Sequence, residues 1–214
     1  MSRKNKVAFK MNIKNIFLLI CISFIANIVA DEDPSIAIYR DTCSACHLDS
    51  GVGNPSLKVP TIASLPRWYV TDQLRKFRFG ERGDHTKDTA GQLMRQNTKS
   101  LDDRVIAFLG RYVSNMKATK KKNTLKNADL KKGKTIFTKN CIECHKADGS
   151  GDKAKRVPPL NIQPDWYILE QLVKFEKGHR MHSKDFRLNS WGKEAKDIAA
   201  YIGTLTAPKK EKEE

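Results

Sequence analysis

Cys43-Ser44-Ala45-Cys46-His47 and, further along, Cys141-Ile142-Glu143-Cys144-His145 are the stretches on which the fold turns. Two thiols separated by two residues and followed at once by histidine form the attachment pattern of a c-type haem. The spacing has a chemical reason. The thiols add to the two vinyl groups of one porphyrin, and the adjacent imidazole is held beneath the iron as an axial ligand. Cysteine and histidine also bind zinc, but the one further cysteine, Cys21, lies in the apolar N-terminal run, and the pattern occurs twice in register. Cys43, Cys46, Cys141 and Cys144 are therefore the expected covalent attachments of two haem c groups. His47 and His145 are the expected proximal ligands.

Working outward, the two halves repeat at a constant offset of 98 residues. Tyr39 meets Phe137, Gly51 and Gly53 meet Gly149 and Gly151, and Val59-Pro60 meets Val157-Pro158. Further on, Trp68-Tyr69 meets Trp166-Tyr167, Gln73-Leu74 meets Gln171-Leu172, Lys76-Phe77 meets Lys174-Phe175, and Gly80 meets Gly178. Such ungapped agreement marks a tandem duplication. The expected organisation is a leader over 1–30, a first haem domain over 31–116, a basic linker over 117–128, a second haem domain over 129–206 and a charged tail over 207–214.

Each unit reads as all-α. Short helices over 34–43 and 129–141 run into the haem motifs. Val70, Leu74 and Phe77, like Ile168, Leu172 and Phe175, fall at i, i+4 and i+7 and share one helical face. Asp165 is the expected N-cap of the second of these helices, and Gly80 and Gly178 are the expected stops. A last helix over Leu101–Val113 carries Val105, Phe108, Leu109 and Tyr112 on one stripe, matched by Ile198, Tyr201 and Ile202 within Trp191–Leu205. The linker holds Lys120-Lys121-Lys122 and no apolar pattern, which predicts a solvated connection.

Hydrophobic residues make up 39% of the 214 and aromatics 8%, too little for a large haem-free core. Two units of about 80 to 90 residues, each packed on a porphyrin, fit that composition better. Arg3, Lys4, Lys6, Lys10 and Lys14 precede an apolar run, Ile16 to Ala30, that ends in small residues. This pattern predicts an export signal cleaved after Ala30, hence a periplasmic protein; an uncleaved anchor is the alternative, although a run of about 15 residues is short for a membrane span. Removing 1–30 takes five basic and no acidic residues from 40 Lys+Arg and 24 Asp+Glu and leaves a formal charge of +11. A basic surface suits acidic or membrane-bound redox partners, or association with an anionic membrane surface. Nucleic acid is not an expected partner of an exported chain with no aromatic-basic motif.

With the haem motif, the prolines that follow, the Tyr-x3-Gln-Leu-x2-Phe-x2-Gly helix (Tyr69 to Gly80, Tyr167 to Gly178) and the tyrosines Tyr112 and Tyr201, the sequence resembles bacterial di-haem cytochromes of the cytochrome c4 type. That resemblance covers residues 33–116 and 129–206. It implies two tandem class I cytochrome c domains, each a few helices around one covalent haem. It also implies that Tyr39 and Phe137 pack near the last helices, that Pro60 and Pro158 sit beside the proximal histidines, and that the chain carries single electrons by outer-sphere transfer and does not catalyse a reaction. Alternatives are a haem subunit of an exported oxidoreductase complex and a di-haem peroxidase-like enzyme.

The sixth ligand implied for the first iron is Met94, seven residues before Leu101, with His85 as a second candidate. The second unit departs from the pattern. Gly80 to Tyr112 spans 32 residues but Gly178 to Tyr201 only 23, so nine are missing from the ligand loop. Met181 repeats the seven-residue spacing to an apolar Leu188 and is the expected ligand there, with His182 and His179 as alternatives.

Overall fold

The computed structural model describes residues 34–117, 123–182 and 192–206. The leader, Lys120 to Lys122, Leu188, Trp191 and the charged tail lie outside them. From Pro34 onward the chain forms one compact unit. The described residues contain helices and two isolated β-bridges, Asn54 with Val59 and Asp152 with Val157, one in each repeat.

In the first repeat, α1 (Pro34–Ile38) continues through a π-helical turn, Tyr39–Cys43, into α2 (Ser44–His47). It is followed by α3 (Arg67–Phe79), α4 (Thr89–Thr98) and α5 (Asp103–Asn115). In the second repeat, α6 (Leu130–Asn140) leads into α7 (Ile142–His145), and α8 (Asp165–Glu176) and α9 (Glu194–Thr204) complete it. Gly80 (φ 76°) ends α3 in the left-handed conformation. Gly178 (φ 69°) follows α8, as the sequence predicts. Three aspartates with no counterpart in the sequence reading cap helices: Asp88, Asp102 and Asp129 accept backbone N–H groups of α4, α5 and α6.

Each repeat has its own core. Tyr39, Leu65, Val70, Leu109 and Val113 form the first, and Phe137, Ile168, Ile198, Ala199 and Ile202 the second. Phe137 and Ile198 are fully buried, and each such side chain contributes about 1.5–3 kcal/mol. The aromatic at the offset position packs on the last helix in both: Tyr39 lies 5.2 Å from Tyr112 and Phe137 5.6 Å from Tyr201, ring centre to ring centre.

Two expectations are corrected. The buried stripe of α5 is Ile106, Leu109, Gly110 and Val113, whereas Val105, Phe108 and Tyr112 are half-buried. Apolar residues occupy two neighbouring stripes of this helix, and the one containing Gly110 wins because it allows the closer approach to α3. A Cβ at Gly110 would stand 2.5 Å from Cγ2 of Thr71. Second, Asp165 is the first residue of α8, not its N-cap. Its carboxylate is completely buried and accepts from Thr124 N, Thr124 Oγ1, Leu125 N and Trp166 N at 2.7–2.9 Å. The end of the expected linker is thus fastened to the second repeat, and Leu125 packs against the second core.

Candidate haem sites

The two proximal frames are built alike, bond for bond. His47 Nδ1 lies 3.1 Å from the Pro60 carbonyl oxygen, and His145 Nδ1 lies 3.1 Å from that of Pro158. A carbonyl only accepts, so Nδ1 is the protonated nitrogen and Nε2 is left as the donor to a metal. Both rings are buried, and desolvation is the main cause holding both pKa values below the ordinary histidine range. Neutral imidazole is the form that ligates.

The backbone that presents each proline is equally constrained. The chain turns sharply after the histidine, with Leu48 at φ 63° and Lys146 at φ 62°. Gly53 N then donates to His47 O at 3.1 Å, and Gly151 N to His145 O at 3.0 Å. Gly53 (φ 80°) and Gly151 (φ 73°) pass so near the following prolines that a Cβ would stand 2.5 and 2.6 Å from the Pro60 and Pro158 carbonyl carbons. Only glycine fits there. In the first repeat, Tyr39 OH donates to Leu48 O at 2.7 Å and closes the turn from the other side.

None of the four motif cysteines is in a disulfide. Cys43 and Cys141 pack against the two cores, and burial, then the neighbouring thiol, pushes each thiol up to about 11. Each stands one helical turn from its histidine, in the frame a haem c requires. Polar groups suited to propionates are present too. Trp166 Nε1 and Arg82 Nε are buried donors with no protein partner. Thiols, bare Nε2 atoms, apolar walls and unpartnered donors together fit the group.

The distal side is less uniform. Met94 is half-buried on α4, a helix where the resemblance implied a loop. His85 is exposed; its ring stacks on His179 at 4.2 Å, and its Nδ1 accepts from Lys87 N at 3.1 Å. His85 and His179, which are not at equivalent positions of the repeats, thus meet across them. Met181, the expected ligand of the second iron, exposes 69% of its surface. The next residue, His182, has its ring centre 6.1 Å from that of His145 and packs edge-on to Phe175 at 4.9 Å.

Between the repeats lies a paired network absent from the sequence reading. Arg82 donates to Gln73 Oε1 at 2.6 Å and to Tyr167 OH at 2.9 Å. Arg180 donates to Gln171 Oε1, and more loosely to Gln73 Oε1 at 3.2 Å and Tyr69 OH at 3.4 Å. Each arginine binds the glutamine of its own repeat and the tyrosine of the other. The signal was available: Arg82 and Arg180 are also 98 apart. Asp88 on the first repeat and Lys174 on the second add an ion pair of 2.9 Å, in which Asp88 is 2% exposed. Gln163 Nε2 donates to Thr61 O at 3.0 Å, again across the repeats.

Comparison with known proteins agrees with this architecture. Residues 130–206 match the cytochrome c family model. The chain is 29% identical over 148 residues to the thiosulfate dehydrogenase electron acceptor of Thiomonas intermedia, covering 65% of this chain and 64% of that one, just under two thirds of its length. It is 26% identical over 157 residues to cytochrome c4 of Azotobacter vinelandii, covering 67% and 71%. The solved structure of Acidithiobacillus ferrooxidans cytochrome c4 superposes with a TM-score of 0.65 at 29% identity, over 77% of this chain and 99% of that one. The fold is two class I cytochrome c domains in tandem, and the cofactor is covalently bound haem c, two groups to the chain.

Proposed function

Starting from two tandem class I cytochrome c domains that resemble cytochrome c4, we propose that this chain is an exported carrier of single electrons between redox proteins. The observation that carries the reading is the duplicated proximal frame, with His47 and His145 each fixed by a proline carbonyl within one compact unit. Haem c supplies a one-electron couple at each iron, and no bond is made or broken in the exchange. The protein's part is to hold and tune. Cys43 and Cys46, with Cys141 and Cys144, attach the two groups. His47 with Met94 ligates the first iron, and His145 with a side chain from the segment after Gly178 ligates the second. The soft thioether of Met94 raises the first potential. Export rests on the basic leader and apolar run of residues 1–30; among the described residues no helix is long and apolar enough to cross a membrane.

A second reading is favoured by the Thiomonas relative, whose name makes it the electron acceptor of one enzyme. On that reading the chain serves a dedicated dehydrogenase in place of a pool of partners. Haem content and a redox titration of the purified protein test the first claim: two haems per chain, each titrating reversibly by one electron, are expected, and a single haem would sink it. Co-purification of one enzyme with the tagged chain at stoichiometric yield would move the assignment to the second.

A further inference from the structure

The shortened second repeat resolves into a specific geometry. After α8, the N–H groups of His179 and Arg180 both donate to Lys174 O, at 2.8 and 3.3 Å. The chain then leaves the helix with Arg180 drawn inward to Gln171, Gln73 and Tyr69. Met181 follows with 69% of its surface exposed. His182 is exposed as well, but its ring packs edge-on to Phe175 at 4.9 Å.

Its ring centre is 6.1 Å from that of His145, with the planes at 63°. Metal–imidazole bonds of about 2 Å and a ring radius of about 1.2 Å place two axial imidazole centres roughly 6.4 Å apart across one metal. The histidine pair His85 and His179, by contrast, lies stacked at 4.2 Å. His145 Nδ1 is engaged by Pro158, so Nε2 is the nitrogen left for iron.

We infer that His182, not Met181, is the second axial ligand of the iron held by His145. The inference rests on the proposed function and deepens it, because the two sites become unlike: His47 with Met94 in the first, His145 with His182 in the second. A second site without the thioether has the lower reduction potential of the two.

The test uses the full di-haem protein and reads ferric spectra, where methionine ligation gives a sulfur-to-iron charge-transfer band that bis-imidazole ligation lacks. Wild type is expected to show this signature for one of its two haems. Met94→Ala should abolish the band, and Met181→Leu should leave both spectra and both potentials unchanged. His182→Ala should turn one haem high-spin and open its ferrous form to rapid carbon monoxide binding. Methionine signatures on both haems of wild type, loss of one in Met181→Leu, or an unaltered second haem in His182→Ala would each overturn the inference. Should His182→Ala fail to retain its second haem, the wild-type and Met181→Leu spectra decide the matter alone. Fewer than two haems in wild type would instead defeat the carrier reading, so the two failures are distinguishable.

Discussion

The two repeats run in step as far as Gly80 and Gly178 and differ after them. Up to that point the haem motif, the left-handed residue that follows it, the proline carbonyl on Nδ1 and the helix bearing tyrosine and glutamine all recur. Beyond it, the first repeat builds α4 and carries Met94 there, while the second has nine fewer residues and brings His182 to His145. The proximal side must meet a fixed covalent geometry and so tolerates little change. The distal side need only offer one donor atom to the metal, and a loop of different length can offer a different one. Duplication preserved the half of the site that chemistry dictates and left the other half to diverge.

The strongest way to break this comparison is to remove the anchors of one repeat. Cys141→Ala with Cys144→Ala should lower covalent haem from two to one per chain by intact mass, with the methionine signature of the first site kept. Loss of both haems would show that the repeats do not mature separately. Next in size, Gly53→Ala and Gly151→Ala force a side chain into a left-handed backbone and against a proline carbonyl. Each should cost about 3 kcal/mol in chemical denaturation. The two losses should be similar, and a large inequality would mean that the proximal frames are not equivalent.

Much of this frame is legible without coordinates. The thiol and imidazole spacing points to the attachments, the 98-residue offset to the duplication, and the i, i+4, i+7 pattern to α3 and α8. What escapes has physical reasons. The carboxylate of Asp165 looks like a cap because sequence shows a residue beside its helix but not the Thr124 and Leu125 amides that return to it. Ile106 and Val113 are overlooked in favour of Val105 and Tyr112 because two apolar stripes run side by side and only the close approach at Gly110 separates them. Met181 is picked out by its seven-residue spacing to Leu188, a count that carries no information on exposure, and 69% of its surface is exposed. Contacts between the repeats leave no periodicity in a chain, so Arg82 and Arg180 pass unnoticed despite their offset.

The ion pair between the repeats should show in the pH dependence of stability. Burial would raise the Asp88 carboxyl, but hydrogen bonds from Lys174 and the Gly91 N–H outweigh it and hold the pKa below its ordinary value. A carboxyl depressed in the folded state contributes stability above its unfolded pKa of about 3.9, and that stability is lost as pH falls through the folded value. Lys174 is raised, so its share persists below its unfolded pKa of about 10.4 and is lost only as pH rises through the higher folded value. Asp88→Asn keeps a capping side chain for α4 and removes the charge. It should cost about 2 kcal/mol at neutral pH, below the usual range for a broken buried pair because Lys174 retains Glu170. Below a pH of about 4 the stability curves of wild type and Asp88→Asn should converge; parallel curves would show that the pair contributes nothing.

The smallest effect is the most discriminating test of how far the duplication's symmetry extends into the interface. Tyr167 OH accepts from Arg82 at 2.9 Å, whereas Tyr69 OH accepts from Arg180 at 3.4 Å. Arg180 also has Gln73 and Gln171 as acceptors, while Arg82 has Gln73 alone besides the tyrosine and keeps an unpartnered Nε. Tyr167→Phe should therefore destabilise by about 1–1.5 kcal/mol, and Tyr69→Phe by only about 0.5 kcal/mol. Equal losses would mean that the network is symmetric in solution and that the longer contact tightens there. A larger loss for Tyr69→Phe would reverse the order of the two arginines.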